Sequence, residues 1–316
     1  MPRSLARPAA LRPGDRVAVL CVSSPVTNLA ALEAGLDTLR FAGLEPVAYP
    51  SAYEAGTMRP YLAGDDKLRA ADLTRALADP DIAGVIFAKG GYGAQRTLEL
   101  IDWAELAGLT PKVLAGFSDI TAILEAVAVR LGWASLFAPM AAMSGEATHY
   151  SAGNLLRTLM RPAEATRISY PDAVTINPGA ARGVTMGGTL ALLASSLGTD
   201  TSRKAASGGI LLLEDVDEEG YRIDRMLTQL RRSGYLDGVS GVITGTFTGC
   251  GPSGEIEAIL AERLGALNVP MIAWANVGHG GRFQTFPIGI AAELDATRRT
   301  LHLLDEPLIT PGVGTR

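Results

Sequence analysis

The stretch Val113-Leu114-Ala115-Gly116-Phe117-Ser118-Asp119-Ile120-Thr121 joins a short apolar run to an amphipathic helical pattern through one Gly-x-Ser turn. An apolar run of this length suits a buried strand, and a helix that starts at once makes a βα unit, the building block of a parallel sheet. The turn itself suits two roles. A serine at this place caps the helix that follows. A serine at the crest of a strand-to-helix turn also projects its hydroxyl out of the sheet, and the next amide, at a helix N-terminus, faces a developing oxyanion. Position 120 is Ile where the hydrolase elbow has Gly, so the turn alone does not choose between cap and nucleophile.

Upstream of this turn the same alternation repeats. Residues 16–22 are a β-rich run, 29–41 carry apolar residues at helical spacing, and 46–49 form a short strand. A helix is predicted over 66–78 with Asp65 as its cap, then a buried strand over 82–88. The turn Lys89-Gly90-Gly91-Tyr92-Gly93 leads into a helix over 94–101, and beyond Ser118 a helix over 119–131 and a strand over 135–138 complete the series. Such β-α alternation predicts a parallel sheet with helices on both faces.

From 161 to 182 the pattern gives way to Pro162, Pro171, Pro178 and Gly179 among mixed polar residues, which reads as a linker. The expected organisation is α/β throughout: a parallel-sheet domain over 1–160, the linker over 161–182, and a mixed α/β, barrel-like domain over 183–316. In this last part helices are predicted over 189–197, 221–232 and 255–264. Strands are predicted over 209–213, 239–247, 271–275, 285–294 and 300–304. No internal repeat is found.

The 316 residues, 47% of them apolar, suffice for two cores of ordinary size. Thirty-three acidic and 28 basic residues give a net charge of −5, and no basic block tracks a phosphate backbone, so nucleic acid is not expected as a partner. Cys21 and Cys250 are too few for a disulfide framework or a zinc motif, and no metal or other cofactor is expected. The N-terminal arginines are interrupted by Pro2, Pro8 and Pro13, and no stretch approaches the roughly 20 apolar residues of a membrane span. A soluble, cytoplasmic protein is expected.

A serine nucleophile needs a base within hydrogen-bond reach and a third group to orient that base. Three histidines are available. His302 alternates with leucines on a strand and reads as a surface side chain, and His149 lies at a polar helix start. His279 sits in Asn276-Val277-Gly278-His279-Gly280-Gly281-Arg282, a loop after an apolar strand, which suits a catalytic group and an exposed turn equally. For the third group, the apolar run Ile210-Leu211-Leu212-Leu213 enters Glu214-Asp215-Val216-Asp217-Glu218-Glu219, with five acids in six positions. Glu214 and Asp215 point to opposite faces of a strand, and the pattern does not choose between them. The turn Gly90-Gly91-Tyr92-Gly93 suits an ordinary tight turn, a phosphate cradle, or a second oxyanion donor beside Asp119. It lacks the dinucleotide and P-loop spacings.

Seven blocks, in order, resemble the LD-carboxypeptidase family of serine peptidases, which also contains the microcin-C immunity peptidases. They are Leu11-Arg12-Pro13-Gly14-Asp15-Arg16-Val17, Gly90-Gly91-Tyr92-Gly93, Gly116-Phe117-Ser118-Asp119-Ile120-Thr121, Gly187-Gly188, Leu213-Glu214-Asp215-Val216, Tyr221-Arg222-Ile223-Asp224-Arg225-Met226-Leu227 and Gly278-His279-Gly280. The resemblance implies a flavodoxin-like first domain carrying the serine, a second domain carrying the other two catalytic groups, and a cleft between them. It implies a triad of Ser118, Glu214 and His279, which is what selects Glu214 over Asp215. It further implies a cytoplasmic homodimer without a metal.

The expected substrate is a small peptide with a free C-terminal carboxylate. In the family's best-known members it is a murein tetrapeptide that loses its terminal D-alanine across an L–D amide, as in peptidoglycan recycling. The expected oxyanion donors are the amides of Gly91 and Asp119, and Lys89, Tyr92 and Thr189 are the expected substrate contacts. Two places depart from the family pattern: Thr189 follows Gly187-Gly188 where Asn is frequent, and Lys89 stands where Arg is frequent. Both bear on which substrate is taken, so the alternatives are the same chemistry on a peptidyl-nucleotide antibiotic conjugate and a non-catalytic, two-lobed binder of small peptides. A nucleotide-dependent enzyme using the Gly-rich turn is a further one.

Overall fold

The computed structural model describes residues 3–143 and 148–310. Its first sheet is built from β1 (Arg16–Leu20), β2 (Glu45–Ala48), β3 (Ile82–Phe87), β4 (Val113–Gly116) and β5 (Ser135–Phe137). These run parallel in the order β2-β1-β3-β4-β5, the flavodoxin-like order. The connecting helices are α1 (Leu29–Phe41), α2 (Asp66–Ala78), α3 (Ala94–Leu98), α4 (Trp103–Leu106) and α5 (Thr121–Arg130). The Asp65 carboxylate accepts the Leu68 N–H at 2.7 Å, which starts α2 where its cap predicts. The inner strands β1, β3 and β4 are almost unbroken runs of buried residues because helices cover both faces, whereas the edge strand β2 is only partly buried.

After α6 (Thr148–Met160) the chain enters a second sheet. Its strands are β6 (Arg167–Ser169), β7 (Val174–Asn177), β8 (Ala180–Thr189), β9 (Gly209–Val216), β10 (Gly241–Thr248), β11 (Met271–Ala273), β13 (Ala291–Asp295) and β14 (Thr300–Leu303). Between them lie α7 (Leu190–Ser196), α8 (Gly220–Arg232) and α9 (Ser253–Arg263), and β12 (Phe286–Ile288) is described below. The order is β6-β14-β13-β8-β9-β10-β11-β7, with β8 to β11 parallel and the outer strands antiparallel. β6 and β7 occupy opposite edges, yet only residues 170–173 join them, a span of at most about 18 Å. A flat sheet of eight strands would hold its edges about 34 Å apart, so this one is strongly curled, the barrel-like form expected.

Two expectations need correction. The segment read as a linker, 161–182, contains β6, β7 and the start of β8. Its prolines lie in the turns around these short strands, and two of the strands sit at sheet edges, where proline nearby is tolerated. The single strand expected over 285–294 is two, broken at Gly289 (φ +85). Its first part, β12, leaves the second sheet and pairs antiparallel with β5 of the first, Phe286 opposite Phe137 and Ile288 opposite Ser135.

Helix α5 is buried from Thr121 to Ala128, apolar on nearly every side, because it lies between the first sheet and α7 and β8 of the second. Its one buried acid, Glu125, is paired with Arg203. The N-terminal segment straps the two halves, with bridges from Ala6 to Trp133 and from Ala9 to Ile309.

Candidate active site

In a 2-1-3-4-5 sheet the loops after β1 and β3 diverge and leave a crevice at the carboxyl edge, where ligands of such folds bind. Three loops meet there: Ser23-Ser24 after β1, Lys89 to Gly93 after β3, and Ser118 after β4. The second sheet faces them with Glu214 on β9 and with His279 on the segment after β11.

Ser118 has φ +62, in the left-handed region that costs a non-glycine residue about 1–2 kcal/mol. A short 3-10 turn, Ser118–Ile120, follows it and runs into α5. The serine is thus held at the crest of a strained turn, the elbow geometry rather than a cap: its side chain caps no amide of the helix. Gly90 approaches so closely that a Cβ there would lie 3.0 Å from the Ser118 Cβ.

The hydroxyl of Ser118 lies 3.1 Å from His279 Nε2, and His279 Nδ1 lies 2.7 Å from Glu214 Oε2. The same carboxylate oxygen accepts the backbone N–H of His279 at 3.2 Å, and the other oxygen accepts the Thr189 hydroxyl. Glu214 is fully buried, so these donors replace its lost hydration. Gly278 (φ +104) makes the approach possible, because a Cβ there would sit 2.3 Å from Glu214 Oε2. Gly245 does the same on β10, where a Cβ would meet the Val277 carbonyl at 2.2 Å. Below the pair, Phe117, Phe137 and Phe283 form an edge-to-face cluster, and the Phe117 ring lies 4.8 Å from that of His279. The three groups therefore form one hydrogen-bonded chain from serine to buried carboxylate, with an apolar floor.

The Gly-rich turn is held at both ends. Ser24 N–H donates to the Gly90 carbonyl at 3.1 Å, and Ser24 Oγ accepts the Tyr92 N–H at 3.1 Å. The buried Asp119 carboxylate accepts the Ala94 N–H at 2.7 Å and the Ser23 hydroxyl at 2.6 Å. Burial raises the Asp119 carboxyl above its ordinary range against the pull of these two donors. Gly91 (φ +105) has its amide without an acceptor among the described residues, and the Asp119 amide is in the first helical turn, where N–H groups have no intrahelical partner. Neither Ser23 nor Ser24 was singled out from sequence; their place directly after β1, at the carboxyl edge of a parallel sheet, is the signal that points to them.

Among the expected substrate contacts, Thr189 is a correction. It is buried, its hydroxyl is on Glu214, and its N–H donates to Thr121 Oγ1 at 3.1 Å, so it supports the carboxylate and ties β8 to α5. Lys89 is half-buried at the start of the turn, without an ion pair among the described residues. Tyr92 is half exposed on the rim, its ring 6.1 Å from Tyr61. Asp215 faces away from the histidine and accepts the Ala191 N–H at 2.8 Å, and burial pushes its carboxyl up to about 7. Cys21 is buried and its thiol is pushed up to about 12 by that burial, too high for a thiolate nucleophile. His302 is exposed on β14 and His149 is exposed on α6.

The chain is similar to known proteins. A family model described as the LD-carboxypeptidase N-terminal domain matches residues 17–138, and that of the C-terminal domain matches 182–294. A putative carboxypeptidase of Streptomyces coelicolor is 48% identical over 310 residues, which cover 98% of this chain and 100% of that protein. The chain belongs to the LD-carboxypeptidase family. As a member of it, the protein is an enzyme of the serine-type LD-carboxypeptidase class. The murein tetrapeptide carboxypeptidase of Pseudomonas aeruginosa is a more distant relative in the family, 32% identical, with 90% of this chain and 94% of that protein covered. The solved structure of MccF in complex with glutamyl sulfamoyl guanosine superposes with a TM-score of 0.84, covering 96% of this chain and 100% of that one. At 19% identity, that likeness is one of fold.

Proposed function

We propose that the protein removes a terminal D-alanine from murein-derived tetrapeptides by hydrolysing an L–D amide bond, with Ser118 as nucleophile, His279 as base and Glu214 as the group that orients it. The unbroken Ser118–His279–Glu214 hydrogen-bond chain, with its serine on a left-handed elbow, carries this reading. His279 takes the hydroxyl proton as Ser118 attacks the scissile carbonyl, and Glu214 stabilises the imidazolium that forms. The amides of Gly91 and Asp119 receive the oxyanion, each such donor being worth about 10²–10³ in rate. The protonated His279 then gives its proton to the departing amine, and a water activated by the same imidazole hydrolyses the acyl-enzyme. Lys89 is the group we assign to the terminal carboxylate, as a half-buried cation at the edge of the Gly-rich turn without an ion pair among the described residues. Tyr92, on the same rim, packs against the substrate.

The relative at 32% identity that is named a murein tetrapeptide carboxypeptidase supports this substrate over a peptidyl-nucleotide conjugate. Incubation with L-Ala-D-Glu-meso-diaminopimelate-D-Ala followed by mass spectrometry is the test. Loss of D-alanine with the wild type and none with Ser118→Ala is expected; an intact tetrapeptide with the wild type rejects the murein substrate. We also propose that the enzyme works as a cytoplasmic homodimer. A monomer mass in light scattering would count against the dimer.

A further inference from the structure

A polar cavity of about 230 Å³ opens between α6 and β6. Tyr150, Asn154 and Arg157 form one wall, spaced so that they share a face of α6. Arg167 of β6, Gln284 and Thr285 also line the cavity, and Arg157 and Arg167 are both exposed to solvent. No carboxylate lines it, and neither guanidinium has an ion pair among the described residues, so two positive charges share one cavity of an otherwise acidic chain.

The cavity is built rather than incidental. Asn154 Oδ1 accepts the Thr285 N–H at 2.8 Å, and Gln284 Nε2 donates to the Tyr150 hydroxyl at 3.1 Å and to the Ser169 carbonyl at 3.2 Å. Yet the Thr285 hydroxyl and the Gln284 side-chain carbonyl oxygen are buried without partners among the described residues. A buried polar group left unpaired is destabilising, and such groups persist where a bound molecule completes them. Two guanidinium groups and a hydroxyl are donors for an oxyanion; an unpaired amide oxygen asks for an N–H. Carboxylate and amide N–H occur together in an acylated amino acid or a short acidic peptide.

We propose that this cavity is a binding site for the carboxylate of a small acylated amino acid or acidic peptide, separate from the Ser118 cleft and independent of the peptidase reading. Arg157 and Arg167 hold the carboxylate, and Gln284 receives the amide. The site also touches the catalytic loop: Gln284 N–H closes onto the Asn276 carbonyl at 2.8 Å, and the neighbouring Phe283 packs on Phe117 beneath His279. Occupancy therefore stiffens the segment that carries the base.

Calorimetric titration with N-acetylglutamate, and separately with inorganic phosphate, tests the site. Saturable 1:1 binding of N-acetylglutamate is expected for both the wild type and Ser118→Ala, weakened at least about tenfold in Arg157→Gln/Arg167→Gln. Absence of saturation up to roughly 10 mM, or binding unchanged in the double variant, overturns the site. Phosphate bound more tightly than N-acetylglutamate, and lost in the same double variant, overturns the peptide-carboxylate assignment.

Discussion

At the scale of single residues, Ser118 illustrates how function opposes stability. Its φ of +62 is available to glycine without cost, whereas serine or alanine there is strained. Ser118→Gly and Ser118→Ala both delete the hydroxyl, but after allowing for glycine's greater freedom when unfolded, the glycine variant should be more stable by about 1 kcal/mol. In a thermal melt that is about 2 °C, and equal melting temperatures would remove the strain argument. Asp215 makes a second case. Its carboxyl is raised from 3.8 to about 7 in the folded protein, mainly by burial. Between those values the folded state keeps a proton that the unfolded chain has released, so this residue's contribution to stability is full below about pH 4 and lost as the pH rises through 7. Relative to Asp215→Asn, the wild type should lose up to about 4 kcal/mol over that interval in denaturant titrations. A pH-independent difference would show that the burial does not act in this way.

At the scale of elements, the turn after β3 and the elbow after β4 are locked together by Ser23, Ser24 and the Asp119 carboxylate. Removing that carboxylate with Asp119→Ala should lower kcat by about 10–100-fold and shift KM little, since a displaced oxyanion donor weakens only the transition state. Asp119→Asn, which keeps an acceptor oxygen, should recover most of the rate. A loss confined to melting temperature, with kcat intact, would make Asp119 merely structural. Much of this level was legible beforehand. Helix periodicity and the Asp65 cap placed α1 and α2, and the run into Ser118 announced a βα turn. The segment over 161–182 was not legible, because strands of three or four residues at a sheet edge leave too short a pattern to detect against their prolines. Nor was the inward turn of Thr189, which depends on a Glu214 oxygen left free by a histidine 65 positions away in the chain.

At the scale of the whole molecule, the serine comes from one sheet and its two partners from the other, so the cleft is only as rigid as the contacts between the sheets. The buried pair of Glu125 on α5 and Arg203, joined at 2.5 Å, is one such contact. Glu125→Ala should cost about 3 kcal/mol by leaving the guanidinium uncompensated, while Glu125→Leu with Arg203→Met should regain most of it. A double variant no more stable than the single one would mean that the charges themselves are needed. Strand β12 is another such contact, since it carries the chain just beyond His279 into the sheet that holds Ser118. This strand also sets a schedule for biosynthesis. The ribosome has finished β5 long before it reaches Ile288, a gap of order ten seconds at about 5–20 residues per second. During that interval the nascent first sheet has an open edge along Ser135–Phe137, with its backbone groups unpaired and available to another chain. A chaperone acting on this protein during translation therefore has a definite strand to shield.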